Sequence, residues 1–304
     1  MDDVNAREDE WCAAASAACN EPIAGSATED TEVWIALEYD GPWGRKALVT
    51  SELPASVKEH LRGLEANVPR SRVQLIRRPR TDARGTIRLY IAHAREHAPL
   101  LYRFELDAHE AVRALDVAAV IAGDPRFADA RSDDAPLLVC THGQRDRCCA
   151  VLGIPVFEQL EVLAPGRAWH TSHVGGHRFA ANVVALPSGL CFGRLQVGEL
   201  PAFLAGLDGG EIFALDRLRG RSCHPKEAQI GESLVRARLG ERAIEALTLA
   251  SCTRAPDEAR AYVVRFRDRT GALHDAQFVI ESAPPLRPKG CGEELTPISW
   301  HRPR

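Results

Sequence analysis

The chain lacks three things that would have fixed its class at once: a basic excess, a long hydrophobic run and a paired-cysteine framework. Its net charge is −4 over 304 residues, whereas domains that grip nucleic acid by electrostatics carry a clear positive surplus. No apolar stretch approaches the roughly 20 residues of a membrane-spanning helix. The first ten residues, "MDDVNAREDE", are acidic where a secretory signal would be basic. "AAASAAC", ending at Cys19, could suggest a lipid-modified cysteine, but no hydrophobic segment precedes it. These absences give the expectation of a cytoplasmic protein with neither nucleic-acid nor membrane partners. Methionine occurs once and arginine greatly outnumbers lysine, which reads as codon composition before it reads as an arginine-lined phosphate site.

Nine cysteines are an odd number in a long chain, unlike the even, dense pattern of secreted disulfide scaffolds. In a reducing compartment, clustered cysteine and histidine point to metal or redox chemistry. Dispersed cysteines such as Cys191 behave as small buried hydrophobes.

The rest is ordinary globular material, 45% apolar and 26% charged, long enough for about two domains. "TEVWIALEYD" reads as a strand and "GPWG" as a tight loop. "SELPASVKEHLRGL" reads as a helix opened by a serine capping signal. "RVQLIRR", "TIRLYIAHA" and "PLLYRFEL" read as strands, and "DAHEAVRALDVAAVIAG" as a helix. The order then repeats. "APLLVC" is a strand, "THGQRDR" a polar loop and "CCAVLGIPVFEQLEVL" a helix whose first turns Gly153 and Pro155 should disturb. "RAWHTS", "HRFAANVVAL" and "LCFGRLQV" are strands, and "GELPAFLAGLDGG" closes as a helix. Two related units built like thioredoxin folds follow from that order, giving a mixed α/β (α+β) class. The expected units are residues 1–130, a thioredoxin-like unit without ligands, and 131–217, a thioredoxin-like unit with the site. Residues 218–304 form a small α+β extension: a helix, a hairpin around "RTG" and a proline-rich tail without periodicity. Nothing local assigns a role to Cys291 or Trp300 in that tail.

Only the second unit has chemistry-bearing loops. Cys140 ends a strand and Cys149 starts a helix, where the helix dipole favours a thiolate. His173 and His177 flank "VGG", and Gly175 and Gly176 let the main chain bend closely around a bulky centre. Taken singly, two buried thiols and two ordinary imidazoles would be the plain reading. Taken together, at matching loop edges, the four make a metal site the better one. Cys2His2 suits tetrahedral zinc, but eight residues between the cysteines exceed a zinc knuckle. Two thiolates with two imidazoles are also the Rieske ligand set, so the spacing tilts towards iron–sulfur.

"CTHGQRDRCCA" followed by "SHVGGHRFAANVVALPSGLCFGRL" resembles the sucrase/ferredoxin-like family of thioredoxin-fold ferredoxins, with weaker likeness at "GPWG", "LRGR" and "GCGEELTPISW". The resemblance implies a 2Fe–2S cluster held by Cys140, Cys149, His173 and His177, with zinc as the alternative. Alignment through "RD" selects Cys149 over its neighbour Cys148, which could swing into the site. Around the ligands, His142, Arg145 and Asp146 are expected in the loop, Arg145 and Asp146 with structural roles. A carboxylate there could instead take the free ring N–H of a ligand histidine. Phe179 and Asn182 are expected to shield and brace the histidine loop, and His170 to be an ordinary strand residue. No carboxylate pair recommends glycosidase chemistry, and no residue is assigned a catalytic role.

The implied function is one-electron transfer, by a carrier rather than an enzyme with its own substrate. Neutral imidazoles in place of thiolates raise the potential above that of an all-cysteine ferredoxin. Proton binding at the imidazoles would make that potential fall as pH rises. A redox partner protein is expected, a flavoprotein reductase being the donor class that ferredoxin logic suggests. A structural zinc protein and a thiol redox protein compete, the latter weakened by the lack of a C-x-x-C pair at the helix start.

Overall fold

Strand residues that alternate between two apolar sets need cover on both faces, and this chain supplies it. The computed structural model describes residues 11–78, 85–255 and 258–304. The acidic opening "MDDVNAREDE" therefore lies outside the described residues. The chain is a mixed α/β protein, with thirteen strands in two sheets among the described residues.

After a short helix α1 (Cys12–Ala18), strand β1 (Val33–Glu38) leads through helices α2 (Ala47–Thr50) and α3 (Ala55–Asn67) to β2 (Ser71–Arg77). Strands β3 (Ile87–His93) and β4 (Leu100–Leu106) follow, then α4 (Val117–Ala122). The second round runs β5 (Leu137–Cys140), α5 (Arg147–Leu163), β6 (Ala168–Thr171), β7 (Val183–Ala185), β8 (Leu190–Phe192) and α6 (Leu200–Asp208).

In each round the first two strands pair in parallel, the third runs antiparallel to the first, and the fourth antiparallel to the third. The two four-stranded sets have the same internal order and meet edge to edge. Ile76 and Arg77 of β2 pair antiparallel with Thr171 and His170 of β6. Strand β9 (Leu218–Arg221) joins β8, completing the order β4-β3-β1-β2-β6-β5-β7-β8-β9. Helix α7 (Lys226–Leu239) then packs on a separate antiparallel sheet of β10 (Leu247–Arg254), β11 (Ala261–Asp268), β12 (Leu273–Pro288) and β13 (Leu295–Pro303).

Alternation sorts the core. Val33, Ile35 and Leu37 pack in one cluster with Val57 and Leu61 of α3, while Leu137 and Val139 pack with Val156 and Leu160 of α5. The intervening residues Trp34, Ala36, Leu138 and Cys140 face a third cluster, shared by both rounds, that also holds Trp169, Val174, Cys191 and Cys149. Each such large apolar side chain stabilises the fold by about 1.5–3 kcal/mol. Cys140 thus points onto the shared face at the very end of its strand.

Several local expectations are revised. Helix α5 runs unbroken through Gly153 and Pro155; Pro155 is exposed, so the carbonyl it leaves unbonded can turn to water. Ser51 does not cap α3, since its hydroxyl donates to Leu48 O and Pro54 holds the cap position. The single helix expected after β4 is divided into a 3-10 turn (His109–Ala114) and α4, because the Asp116 side chain caps the latter by accepting from Ala119 N. The strand expected from His177 begins instead as a 3-10 turn (His177–Phe179), launched from Gly176 at φ +66. The tail that lacked periodicity forms the end of β12, which extends the expected hairpin strand, and β13. Its Pro284 and Pro285 sit where the register shifts between Ala283 and Leu286, the kind of irregularity that tolerates proline.

Candidate metal centre

The candidate site lies beyond the C-terminal end of β5. Asp146 caps α5, its Oδ1 accepting from Cys148 N at 2.9 Å, so Cys148 and Cys149 occupy the first turn. Gly153, one turn further on, lies against the end of β5. A Cβ there would collide with the Cys140 carbonyl oxygen, so glycine is what lets the helix bring Cys149 to Cys140.

His173 enters from the loop after β6, its Nδ1 3.9 Å from Cys140 Sγ and 3.7 Å from Cys149 Sγ. The three ligand atoms lie within 4.8 Å of one another. Both cysteines are fully buried. The neighbouring Cys149 thiol pushes Cys140 well down, and Cys140 together with burial pushes Cys149 up.

His142 fixes the position of His173. Its Nδ1 accepts from His173 N at 3.1 Å, which makes Nε2 the donor to Gly44 O at 2.9 Å, and the Trp43 ring meets its edge. The "GPWG" turn of the first unit therefore supports the second unit's histidine loop. Arg72, from β2, donates to His173 O at 3.0 Å.

His177 is turned elsewhere. Its ring centre lies 5.6 Å from that of His173, but Nδ1 faces Asp146 Oδ2 at 3.2 Å and Cys12 Sγ at 3.3 Å. Burial pushes its basicity down. Asp146, expected as a structural loop residue, thus also places its carboxylate beside the imidazole of a candidate ligand. Cys148 faces away from Cys140 and Cys149, with its Sγ 3.6 Å from Cys12 and 3.3 Å from Cys291. A second group, Cys12, Asp146, Cys148 and Cys291, has its ligand atoms within 4.8 Å of one another. In that thiol trio Cys12 is pushed up by hydrogen bonds with Cys148 and Cys291, and Cys291 is pushed down by hydrogen bonds with Cys12 and Cys148.

Gly175 and Gly176 both take positive φ, at +87 and +66. A Cβ on Gly176 would collide with the Arg219 guanidinium, which donates to Gly175 O, Asn182 Oδ1 and Ser26 O. Asn182 in turn donates to Gly176 O at 2.9 Å, bracing the loop. Phe179 is fully buried and carries Arg178, Arg194 and Arg219 around its ring at 4.5–5.9 Å. Arg219 itself is 1% exposed, and burial pushes its pKa down to about 10. His170, within β6, stacks on Phe157 of α5, burial lowering it to about 4.

Arg145 lines a cavity of about 510 Å³ beside the site, together with Arg45, Lys46, Arg62, Arg72 and His173.

Sequence reasoning passed over Cys12 and Arg72, and gave no role to Cys291 or to Arg219. The last lies in "LRGR", and the glycines flanking Cys291 were the signal in the tail.

This arrangement, thiols from a strand end and a helix start opposite histidines on a double-glycine loop, agrees with one family comparison. The model of the sucrase/ferredoxin-like family matches residues 23–220, more than half of the chain. The chain belongs to the sucrase/ferredoxin-like family. Searches of the curated proteins and of the solved structures found no match. Within this sucrase/ferredoxin-like chain, both cysteine groups could hold a metal ion. No described helix is long and apolar enough to cross a membrane. Cys12 and Cys291 lie outside the matched residues.

Proposed function

We infer that this protein is a one-electron carrier that holds a 2Fe–2S cluster through Cys140, Cys149, His173 and His177. The single observation that carries the reading is the approach of two buried thiols and the His173 imidazole to within 4.8 Å, with His177 on the same short loop. The donor chemistry fits: soft thiolates and imidazoles are the ligands that iron–sulfur centres of the Rieske type use. When bound, such a cluster supplies a reversible one-electron couple at a potential above that of an all-cysteine ferredoxin.

The chain's own residues do the rest. His177 Nδ1 is engaged by Cys12 Sγ at 3.3 Å and stands 3.2 Å from Asp146 Oδ2, which leaves Nε2 as the nitrogen free for metal. His142 and Arg72 hold the His173 backbone through its N–H and C=O. Trp169, Val174 and Cys191 keep the cysteine side of the site dry, which restricts access of water and oxygen. The basic cavity beside His173 supplies a docking face for an acidic partner, a flavoprotein reductase being the donor class in view.

A second reading has one observation in its favour. Cys140, Cys149 and His173 stand close enough to share a single ion, the arrangement of a structural zinc site. Protein purified without oxygen distinguishes the two. The electron-carrier reading expects visible absorption with iron and acid-labile sulfide in equal amounts. Colourless protein with zinc at this site overturns it.

A further inference from the structure

Three cysteines that are far apart in sequence meet beside the candidate cluster site. Cys12 comes from α1, Cys148 from the first turn of α5 and Cys291 from the loop between β12 and β13. Their sulfurs form a nearly equilateral triangle: Cys12–Cys148 3.6 Å, Cys148–Cys291 3.3 Å and Cys291–Cys12 3.7 Å. A tetrahedral ion with metal–sulfur bonds of about 2.3 Å sets its sulfurs about 3.8 Å apart. Asp146 completes the set, its Oδ1 and Oδ2 at 3.7 and 3.8 Å from Cys12 Sγ. Cys12 and Cys148 are fully buried and Asp146 is 7% exposed.

We propose that Cys12, Cys148, Cys291 and Asp146 form a second metal site, structural in role, for a zinc-class divalent ion. The site goes beyond the electron-carrier reading and shares no metal ligand with it. Thiolate-rich tetrahedral donor sets select zinc among the common divalent ions. Binding replaces three S–H bonds by metal–sulfur bonds and releases those protons to solvent, with no change of oxidation state.

The tail loop is built for this position. Cys291 N donates to Asp146 Oδ2 at 2.9 Å, and Gly292 takes φ +73. A Cβ on Gly290 would stand 2.9 Å from His177 Cε1, so glycine lets the loop lie on that imidazole. The ion would fasten α1 and the tail loop over His177. A disulfide uses these residues less completely, since joining two sulfurs leaves the third thiol and the carboxylate without a cation.

The test is metal analysis of full-length protein supplied with zinc, wild type against Cys291→Ser, with Cys252→Ser as the control. The proposal expects the zinc content of Cys291→Ser to fall by one equivalent per chain, and that of Cys252→Ser to stay at the wild-type level. This drop is expected whether the Cys140 site holds iron or zinc, so failure of the electron-carrier reading leaves it unchanged. Should Cys291→Ser not fold, Cys291→His restores a donor and should fold with its zinc. Wild-type protein with no zinc beyond the Cys140 site, a Cys148–Cys291 disulfide by mass, or unchanged zinc in Cys291→Ser overturns the proposal, as does a folded, zinc-free Cys291→His.

Discussion

At the residue scale the candidate site depends on where a side chain is absent. Gly153 lets α5 touch the Cys140 carbonyl, and Gly176 leaves room for the Arg219 guanidinium. Gly153→Ala is therefore expected to push Cys149 away from Cys140. The cost is about 1–3 kcal/mol, as for other overpacked positions, with a matching loss of bound metal. Denaturant unfolding together with metal content checks this, and a variant of wild-type stability and full metal content contradicts it. The same scale shows how unevenly the site was legible. Cys140, Cys149 and His173 sit at the ends of elements whose apolar patterns are plain, so their neighbourhood could be read from local sequence. The orientation of His177 could not, because Asp146 and Cys12 draw its Nδ1, and Cys12 lies 165 residues away. Cys12 and Cys291 are 279 residues apart, and no local pattern carries information over that distance.

At the element scale, the strands of the two rounds were read well because buried β-strands repeat every two residues and both faces here are apolar, whereas β9 and β10 were not read as strands. Helix starts were read less well, since capping depends on which side chain reaches which N–H. Asp116 and Asp146 cap by accepting from N–H groups, while Ser51 turns to Leu48 O instead. The tail failed for a different reason: Pro284 and Pro285 fall at a bulge in β12 and interrupt the alternation on which a strand reading relies. The turn bearing Arg45 and Lys46, the loop bearing Arg145 and the helix bearing Arg62 make one basic wall beside His173. Reversing two of these charges, Lys46→Glu with Arg145→Glu, is expected to slow oxidation of the reduced protein by ferricyanide about tenfold at low salt, since steering by a lined cleft is of that size or larger. The salt dependence should flatten with it. Stopped-flow mixing at two ionic strengths measures both; an unchanged rate means electrons leave by another face.

At the scale of the whole molecule, the two rounds of strands form one sheet through the β2–β6 pairing, and the ends of the chain are tied across it. Buried Glu21, just after α1, pairs with Arg178, beside His177, and with Arg287 of β12, each at 2.8 Å. Burial alone would raise its carboxyl, but the hydrogen bond from Arg287 and the charge of Arg178 prevail and hold it below the usual range. A depressed folded-state value adds stability that is present above the unfolded pKa of about 4.3 and is lost as pH falls through the folded one. Glu21→Gln should thus cost about 3–5 kcal/mol near neutral pH, as breaking a buried pair does. The gap to wild type should narrow in acid, where Glu21 itself becomes neutral. Urea unfolding across pH checks this, and a gap that does not change with pH removes Glu21 as the tie.

The account stands or falls on whether imidazole nitrogen from the HVGGH loop binds the same centre as the thiolates. Pulsed EPR of the chemically reduced, anaerobically prepared protein reads this directly. The expected result is a reduced 2Fe–2S signal with strong hyperfine coupling to two directly bound nitrogens, one of them lost in His173→Cys and one in His177→Cys. A reduced protein without an iron signal, or a cluster signal without bound nitrogen, contradicts it.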